Sequence, residues 1–195
     1  MSVRLPAAER REQLLSVALE VFARQGFHGS SMNEVAEAAG VTKPVLYQHF
    51  SSKRDLYLAL LAAAGDRLFA AISSAAGQAD SPHAQVEEGF RAFFHWVSDD
   101  HDAFMLLFGS GVRQDDEFAE AQRRVEVLMA EAIAALIQAD ITPAHRELLA
   151  FGLVGVAETT SRRLVAEGRP FDPDLVAQQI ADLAWAGLRN VRRVG

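Results

Sequence analysis

The sequence predicts an all-α protein. Three observations carry that prediction: apolar residues recur at three- and four-residue spacing from about residue 8 onwards, no segment sustains the period-two alternation of a strand, and short Gly, Pro, Ser or Asp punctuation separates the segments. The expected architecture has about nine helices, a three-helix N-terminal part containing a helix-turn-helix and a larger helical C-terminal part.

Each helix has its own signal. The first is expected over about residues 8–25, where Leu14, Leu15, Ala18, Val21 and Phe22 form one stripe and Gly26 supplies a left-handed cap. Ser31 with Glu34 three residues later reads as a capping box opening a second, short helix that stops at Gly40. A third starts at Thr42, with Lys43 and Pro44 in its first turn, where proline's missing N–H costs nothing, and ends near Phe50. Ser52 with Asp55 repeats the capping pattern and opens a fourth helix to about Gly77. Ser81-Pro82, Thr142-Pro143 and Asp172-Pro173 each pair an N-cap residue with a first-turn proline, and they start long helices over about 82–98, 143–167 and 173–192. A short apolar helix near 102–109 and a longer one near 115–139 fill the interval. Functionally the chain divides into residues 1–55 and 56–195, with helix four as the rigid connection.

Composition excludes several classes. Half of the 195 residues are hydrophobic and 23% are charged, the mix of an ordinary globular protein. Zero cysteines remove disulfides, thiolate metal sites and cysteine nucleophiles. The longest apolar stretches, such as 56–65 and 148–157, run about ten residues, short of the ~20 that a bilayer span needs, so no membrane partner is expected. The chain passes from Met-Ser-Val-Arg straight into charges around Glu9 and Glu12, without the apolar core of an export signal, which predicts a cytoplasmic location. No P-loop, HExxH, GxSxG or dinucleotide fingerprint is present, so an enzyme is not expected, nor a cofactor. The run Ser98-Asp99-Asp100-His101-Asp102 reads as solvated caps at a helix junction and no metal site is assigned.

A formal net charge of −7 argues against a nucleic-acid partner when taken alone, because phosphate binding depends on Lys and Arg. The average hides a split. Residues 1–55 hold seven cations against six acids, whereas 56–195 hold twelve against twenty. Both lysines of the chain, Lys43 and Lys53, lie in the first segment.

Two short helices joined at Gly40-Val41, with Ala36, Ala38 and Ala39 permitting close approach, form a helix-turn-helix pattern. In the third helix Leu46 and Phe50, four apart, face inward with Val35 and Phe22. The opposite side presents Lys43, Pro44, Val45, Tyr47, Gln48 and His49. That side suits a major groove: Gln bonds an adenine edge, Val touches a thymine methyl, and Lys reaches guanine or phosphate.

The segment Gly26 to Leu61 resembles the DNA-binding region of the TetR (tetracycline repressor) family of bacterial transcription regulators. The match lies in Gly26-Phe27, Ser31, Val35-Ala36, Ala39-Gly40-Val41, Leu46-Tyr47-Gln48-His49-Phe50 and Ser52-Lys53. The resemblance implies a homodimeric regulator, most often a repressor, released from a palindromic double-stranded operator by a small hydrophobic or amphipathic effector. It implies that Thr42, Lys43, Pro44 and Gln48 meet bases or adjacent phosphates and that Tyr47 and His49 bond phosphates. Ser31 and Lys53 would hold the DNA backbone at the N-termini of helices two and four. Gln48 stands where many members carry an aromatic residue and Val45 falls at a variable position, so the operator sequence is not inherited. Arg4, Arg10 and Arg11 are open to two readings, a basic arm or solvated charges flanking a helix.

The last two helices carry wide apolar surfaces rich in small residues, Phe151, Gly152 and Gly155 in one and Ile180, Ala184, Gly187 and Leu188 in the other. Such surfaces predict a dimer interface, the alternative being the core of a monomer. Aromatics crowd the region after residue 68: Phe69, Phe90, Phe93, Phe94, Trp96, Phe104, Phe108 and Phe118, with Met105 and Met129. An effector cavity with Thr159, Glu158 or His95 as polar handles is one reading, and a packed core is the other. A carrier or adaptor without DNA binding, or a small all-α enzyme, remains the alternative function.

Overall fold

The computed structural model describes residues 6–109, 115–189 and 191, so Arg4 and the expected end of the last helix at 192 lie outside the described residues. Among the described residues there are nine helices and no strand. They are α1 Ala7–Gly29, α2 Met32–Ala38, α3 Lys43–His49, α4 Lys53–Gly77, α5 Pro82–Asp99, α6 His101–Phe108, α7 Asp116–Leu136, α8 Pro143–Glu167 and α9 Pro173–Leu188. Packing groups them as two compact units, Met1–Ala64 with Asp102–Ala121, and Gly65–His101 with Gln122–Gly195. The packing border therefore falls inside α4, nine residues beyond the functional division expected at residue 55.

In the first unit the expected stripe of α1, Leu14, Leu15, Ala18, Val21 and Phe22, is buried. Gly26 breaks the helix as expected, but with φ 70 and ψ 169 it is not an αL cap. That combination is open essentially to glycine alone, and one further helical turn follows it to Gly29. Rings of Phe22, Phe27, Tyr57 and Phe118 then close on one another, with Tyr57–Phe118 centroids 4.5 Å apart and Phe27–Phe118 4.8 Å. Burial of Tyr57 among them pushes its phenol up to about 12.

The caps are those the sequence announces, with altered wiring. Ser31 accepts from the Glu34 N–H at 3.3 Å, but the Glu34 carboxylate accepts from the Ser31 hydroxyl at 2.7 Å instead of from the backbone N–H. At α4 the Ser52 hydroxyl accepts from the Asp55 N–H, while the Asp55 carboxylate reaches one residue further back, to the Ser51 N–H and hydroxyl. Beside them Arg54 donates to Asp115 and Glu117, which holds the Asp115 carboxyl down at about 2.

In the second unit α5 packs chiefly along α9. The His83 ring stands edge-on to Trp185 at 5.1 Å, and Asp174 accepts from the Arg91 Nε at 3.2 Å and lies 3.1 Å from the His95 Nε2. Ser81, Thr142 and Asp172 cap α5, α8 and α9 through their side chains. By length and composition α4 is long and apolar enough to cross a membrane, a feature not expected from uninterrupted apolar runs. Its Leu56, Leu60, Leu61 and Leu68 are instead buried in protein, so its apolarity belongs to the core.

Candidate nucleic-acid interface

The turn between α2 and α3 is built from hydrogen bonds and one special backbone conformation. Val41 N–H bonds the Ala36 carbonyl and Gly40 N–H the Glu37 carbonyl, each at 3.0 Å, while Gly40 takes φ +64. This is a Schellman closure, which satisfies carbonyls that the end of α2 would leave unpaired and requires a left-handed residue best supplied by glycine. Chain direction then changes abruptly and α3 begins two residues later.

Beneath α3, Leu46 is 0% and Phe50 1% exposed, and Val35 and Phe22 are buried as well. Burying that pair turns Thr42, Lys43, Pro44, Tyr47 and Gln48 to solvent, with Val45 and His49 half-exposed. Thr42 occupies the N-cap position but its side chain makes no cap hydrogen bond. The Lys43 ammonium stands 5.8 Å from the Tyr47 ring centroid, one helical turn away. Seven of the nine residues expected to meet DNA thus share one exposed surface of α3 and its cap.

Ser31 and Lys53 are placed differently. The Ser31 hydroxyl donates to the Glu34 carboxylate and is thus turned to its own helix. Lys53 donates to the Phe27 carbonyl at 2.6 Å and the Ser30 carbonyl at 2.8 Å, with its ammonium 4.5 Å from the Phe27 ring centroid. Two of its three donors therefore tie the start of α4 to the chain end of α1, where a cation meets exposed carbonyls. Sequence reasoning missed this bond, and also the inward use of Arg11, which donates to the His49 carbonyl and covers the Phe50 ring. Arg10 bonds Gln13 on its own helix.

The expected effector residues are divided between the two units. Phe90, Phe93, Phe94, Trp96 and Met129 are buried in the second unit, with Phe93–Phe94 ring centroids at 5.4 Å and Phe90–Phe94 at 6.3 Å. Phe104, Met105 and Phe108 belong to α6 in the first unit, where Phe104 and Phe108 are buried and Met105 is exposed. Phe69 and Thr159 face solvent. A hollow of about 680 Å³ lies elsewhere in the second unit, lined by Ala71, Ser74, Ala75, Gln78, Ala79, Asp80, Ala84 and Glu88. No group of three His, Asp or Glu is placed to hold a metal among the described residues, and Asp100 pairs with Arg67 at 3.3 Å.

On α8 and α9, Phe151, Gly152 and Gly187 are exposed, and Gly155, Ile180, Ala184 and Leu188 half-exposed. Leu148 and Leu183, at 69% and 66%, are the most exposed large apolar side chains of these helices. A methyl group added at Gly152, Gly155 or Gly187 would meet nothing within 4 Å.

A buried pair under a short helix, a glycine-closed turn and an outward polar surface define a helix-turn-helix DNA-binding protein with a helical regulatory part. Residues 14–60 match the model for bacterial regulatory proteins of the tetR family, and residues 82–187 match the tetracyclin repressor-like C-terminal domain. The HTH-type transcriptional activator FasR of Mycolicibacterium smegmatis is 36% identical over 190 residues, covering 96% of this chain and 87% of that protein. A TetR-like transcriptional regulator from Rhodococcus sp. RHA1 superposes with a TM-score of 0.77 at 32% identity, covering 96% of this chain and all of the other. FadR of Bacillus subtilis, solved in complex with stearoyl-CoA, gives a TM-score of 0.77 at 16% identity, covering 90% of this chain and 98% of that one. The chain belongs to the TetR family and is a DNA-binding transcriptional regulator, not an enzyme.

Lys53→Met should lower the stability of the full chain by about 1–2 kcal/mol in urea unfolding, because two charged hydrogen bonds to carbonyls are lost. Lys43→Met, on the open surface, should stay within ~0.5 kcal/mol of wild type. Equal stabilities of the two variants would refute the structural role of Lys53.

Proposed function

We propose that the chain is a homodimeric, effector-controlled repressor whose α3 surface reads a palindromic operator. The observation that carries the reading is the burial of Leu46 and Phe50, which turns Thr42, Lys43, Pro44, Val45, Tyr47, Gln48 and His49 outward together. Gln48 and Lys43 supply base-edge and phosphate donors, Val45 an apolar contact, and Tyr47 and His49 phosphate contacts. Lys53 would join through its third donor, and Ser31 by exchanging its Glu34 partner. The cytoplasm, where bacterial DNA lies, is the matching compartment. Division of labour follows residues 1–55 and 56–195, and α4 runs without interruption from Lys53 to Gly77 as the connecting helix.

Dimerisation through α8 and α9 is supported by the glycines that this chain's own packing does not require and by the exposed Leu148, Phe151 and Leu183. Two chains place two recognition helices about one duplex turn, roughly 34–36 Å, apart, which compensates for the few cations of each. Control requires an effector that binds the wrongly spaced dimer more tightly than the operator-bound one. A fatty acyl thioester is the class to test first, since FadR of this fold is described with stearoyl-CoA. The α5 aromatics Phe90, Phe93, Phe94 and Trp96 would supply the apolar lining for such a chain. Activation in place of repression is the second reading, favoured by FasR, a transcriptional activator similar over 96% of this chain.

Binding is measured by anisotropy on the duplex that the wild-type protein selects from a randomised pool. The Lys43→Ala/Gln48→Ala variant should lose at least about tenfold in specific affinity, and full retention would overturn the assignment of α3. Stearoyl-CoA should release that duplex at concentrations where octanoyl-CoA does not, and indifference to both would remove acyl thioesters as the effector class. Leu183→Glu should sediment as a monomer at concentrations where wild type is dimeric, with monomer stability changed by less than ~0.5 kcal/mol. An unaltered dimer would move the interface off α9.

A further inference from the structure

Arg11 is neither in a basic arm nor a solvated charge. It lies three and four residues before Leu14 and Leu15, on the same stripe of α1, and is half-buried. Its guanidinium carbon stands 4.4 Å from the Phe50 ring centroid, and its Nη1 donates to the His49 carbonyl at 3.3 Å, across 38 residues of sequence. His49 is the last residue of α3 and Phe50 its C-cap. The final carbonyls of a helix lack intrahelical partners and carry the negative end of its dipole, so a cation there is stabilising.

Leu46 and Phe50 anchor α3 from beneath and α2 packs beside it, so the orientation of its C-terminal end rests on contacts at His49 and Phe50. Arg11 grips a main-chain carbonyl and the Phe50 ring at once, coupling the α3 backbone to its buried anchor. We infer that Arg11 is a positioning residue of the DNA interface: it sets the angle at which α3 presents Tyr47, Gln48 and His49, without itself touching DNA. The inference rests on the reading of the outer surface of α3 as the operator contact. It separates Arg11 from the phosphate-binding cations with which its charge and location would group it.

The test compares full-length wild type, Arg11→Met and Arg11→Lys on the wild-type-selected duplex, over a series of salt concentrations at a temperature well below unfolding. Met keeps an apolar stem over Phe50 and removes the donor and the charge. Lys keeps the charge but not the planar fork. Arg11→Met should bind roughly tenfold more weakly, both subunits having lost a cation at a helix C-terminus, and Arg11→Lys should recover part of that loss. The slope of log affinity against log salt should be unchanged, since no phosphate contact is removed. Amide exchange over residues 46–50 in the DNA-free protein should quicken in Arg11→Met while α2 stays as in wild type. A slope reduced by about one phosphate contact per chain would make Arg11 a direct DNA ligand and overturn the inference. Unchanged affinity, or faster exchange throughout the first unit, would also overturn it. Failure of the wild type to select any duplex would instead remove the operator reading on which the inference stands.

Discussion

A seven-residue helix does not hold itself together in water, where isolated helices shorter than ~12–15 residues are marginal. The outer surface of α3 therefore exists only because Leu46 and Phe50 are buried beneath it. Their four-residue spacing determines which side of the helix is lost to the interior, and the remaining side inherits Lys43, Pro44, Tyr47 and Gln48. Gly40 contributes the second half of the constraint. Its positive φ closes α2 and lets α3 leave at a new angle within two residues, a backbone state that costs an ordinary L-residue roughly 1–2 kcal/mol.

Cations of the first unit serve this geometry more than they serve electrostatics. Lys53 ties the end of α1 to the start of α4, Arg11 holds the end of α3, and Arg54 binds Asp115 and Glu117 while lying 4.8 Å from the Phe118 ring centroid. Few positive charges are left to meet phosphate. Where phosphate-neutralising cations are few, base-edge contacts and the joining of two copies are the physical routes to operator affinity. The same economy explains how a protein of net charge −7 can bind DNA through a segment whose charges nearly balance.

Helix positions were legible because they rest on local chemistry: Ser81, Thr142 and Asp172 cap the helices expected of them, and Gly26 and Gly40 fall where the chain turns. The TetR resemblance was likewise readable from contiguous residues 26–61. Two of the details that went differently involve a partner distant in sequence. Lys53 finds carbonyls more than twenty residues away and Arg11 one that is 38 away, neither of which has a local signature. One clue to Arg11 was present, since it extends the Leu14, Leu15, Ala18 stripe by a turn, and a charge on a buried stripe needs a partner. Helical spacing likewise says that Phe90, Phe93 and Phe94 share a side of α5, but not whether other rings or a ligand fill the space beside them.

By itself the sequence determined the helices, their caps, the inward pair of α3 and the family, since each depends on residues within a few turns of one another. Tertiary structure alone decided which cations face solvent and where the packing border crosses α4. Those outcomes depend on side chains meeting across long stretches of chain. Such meetings are set by the summed packing of whole helices, which no local spacing encodes.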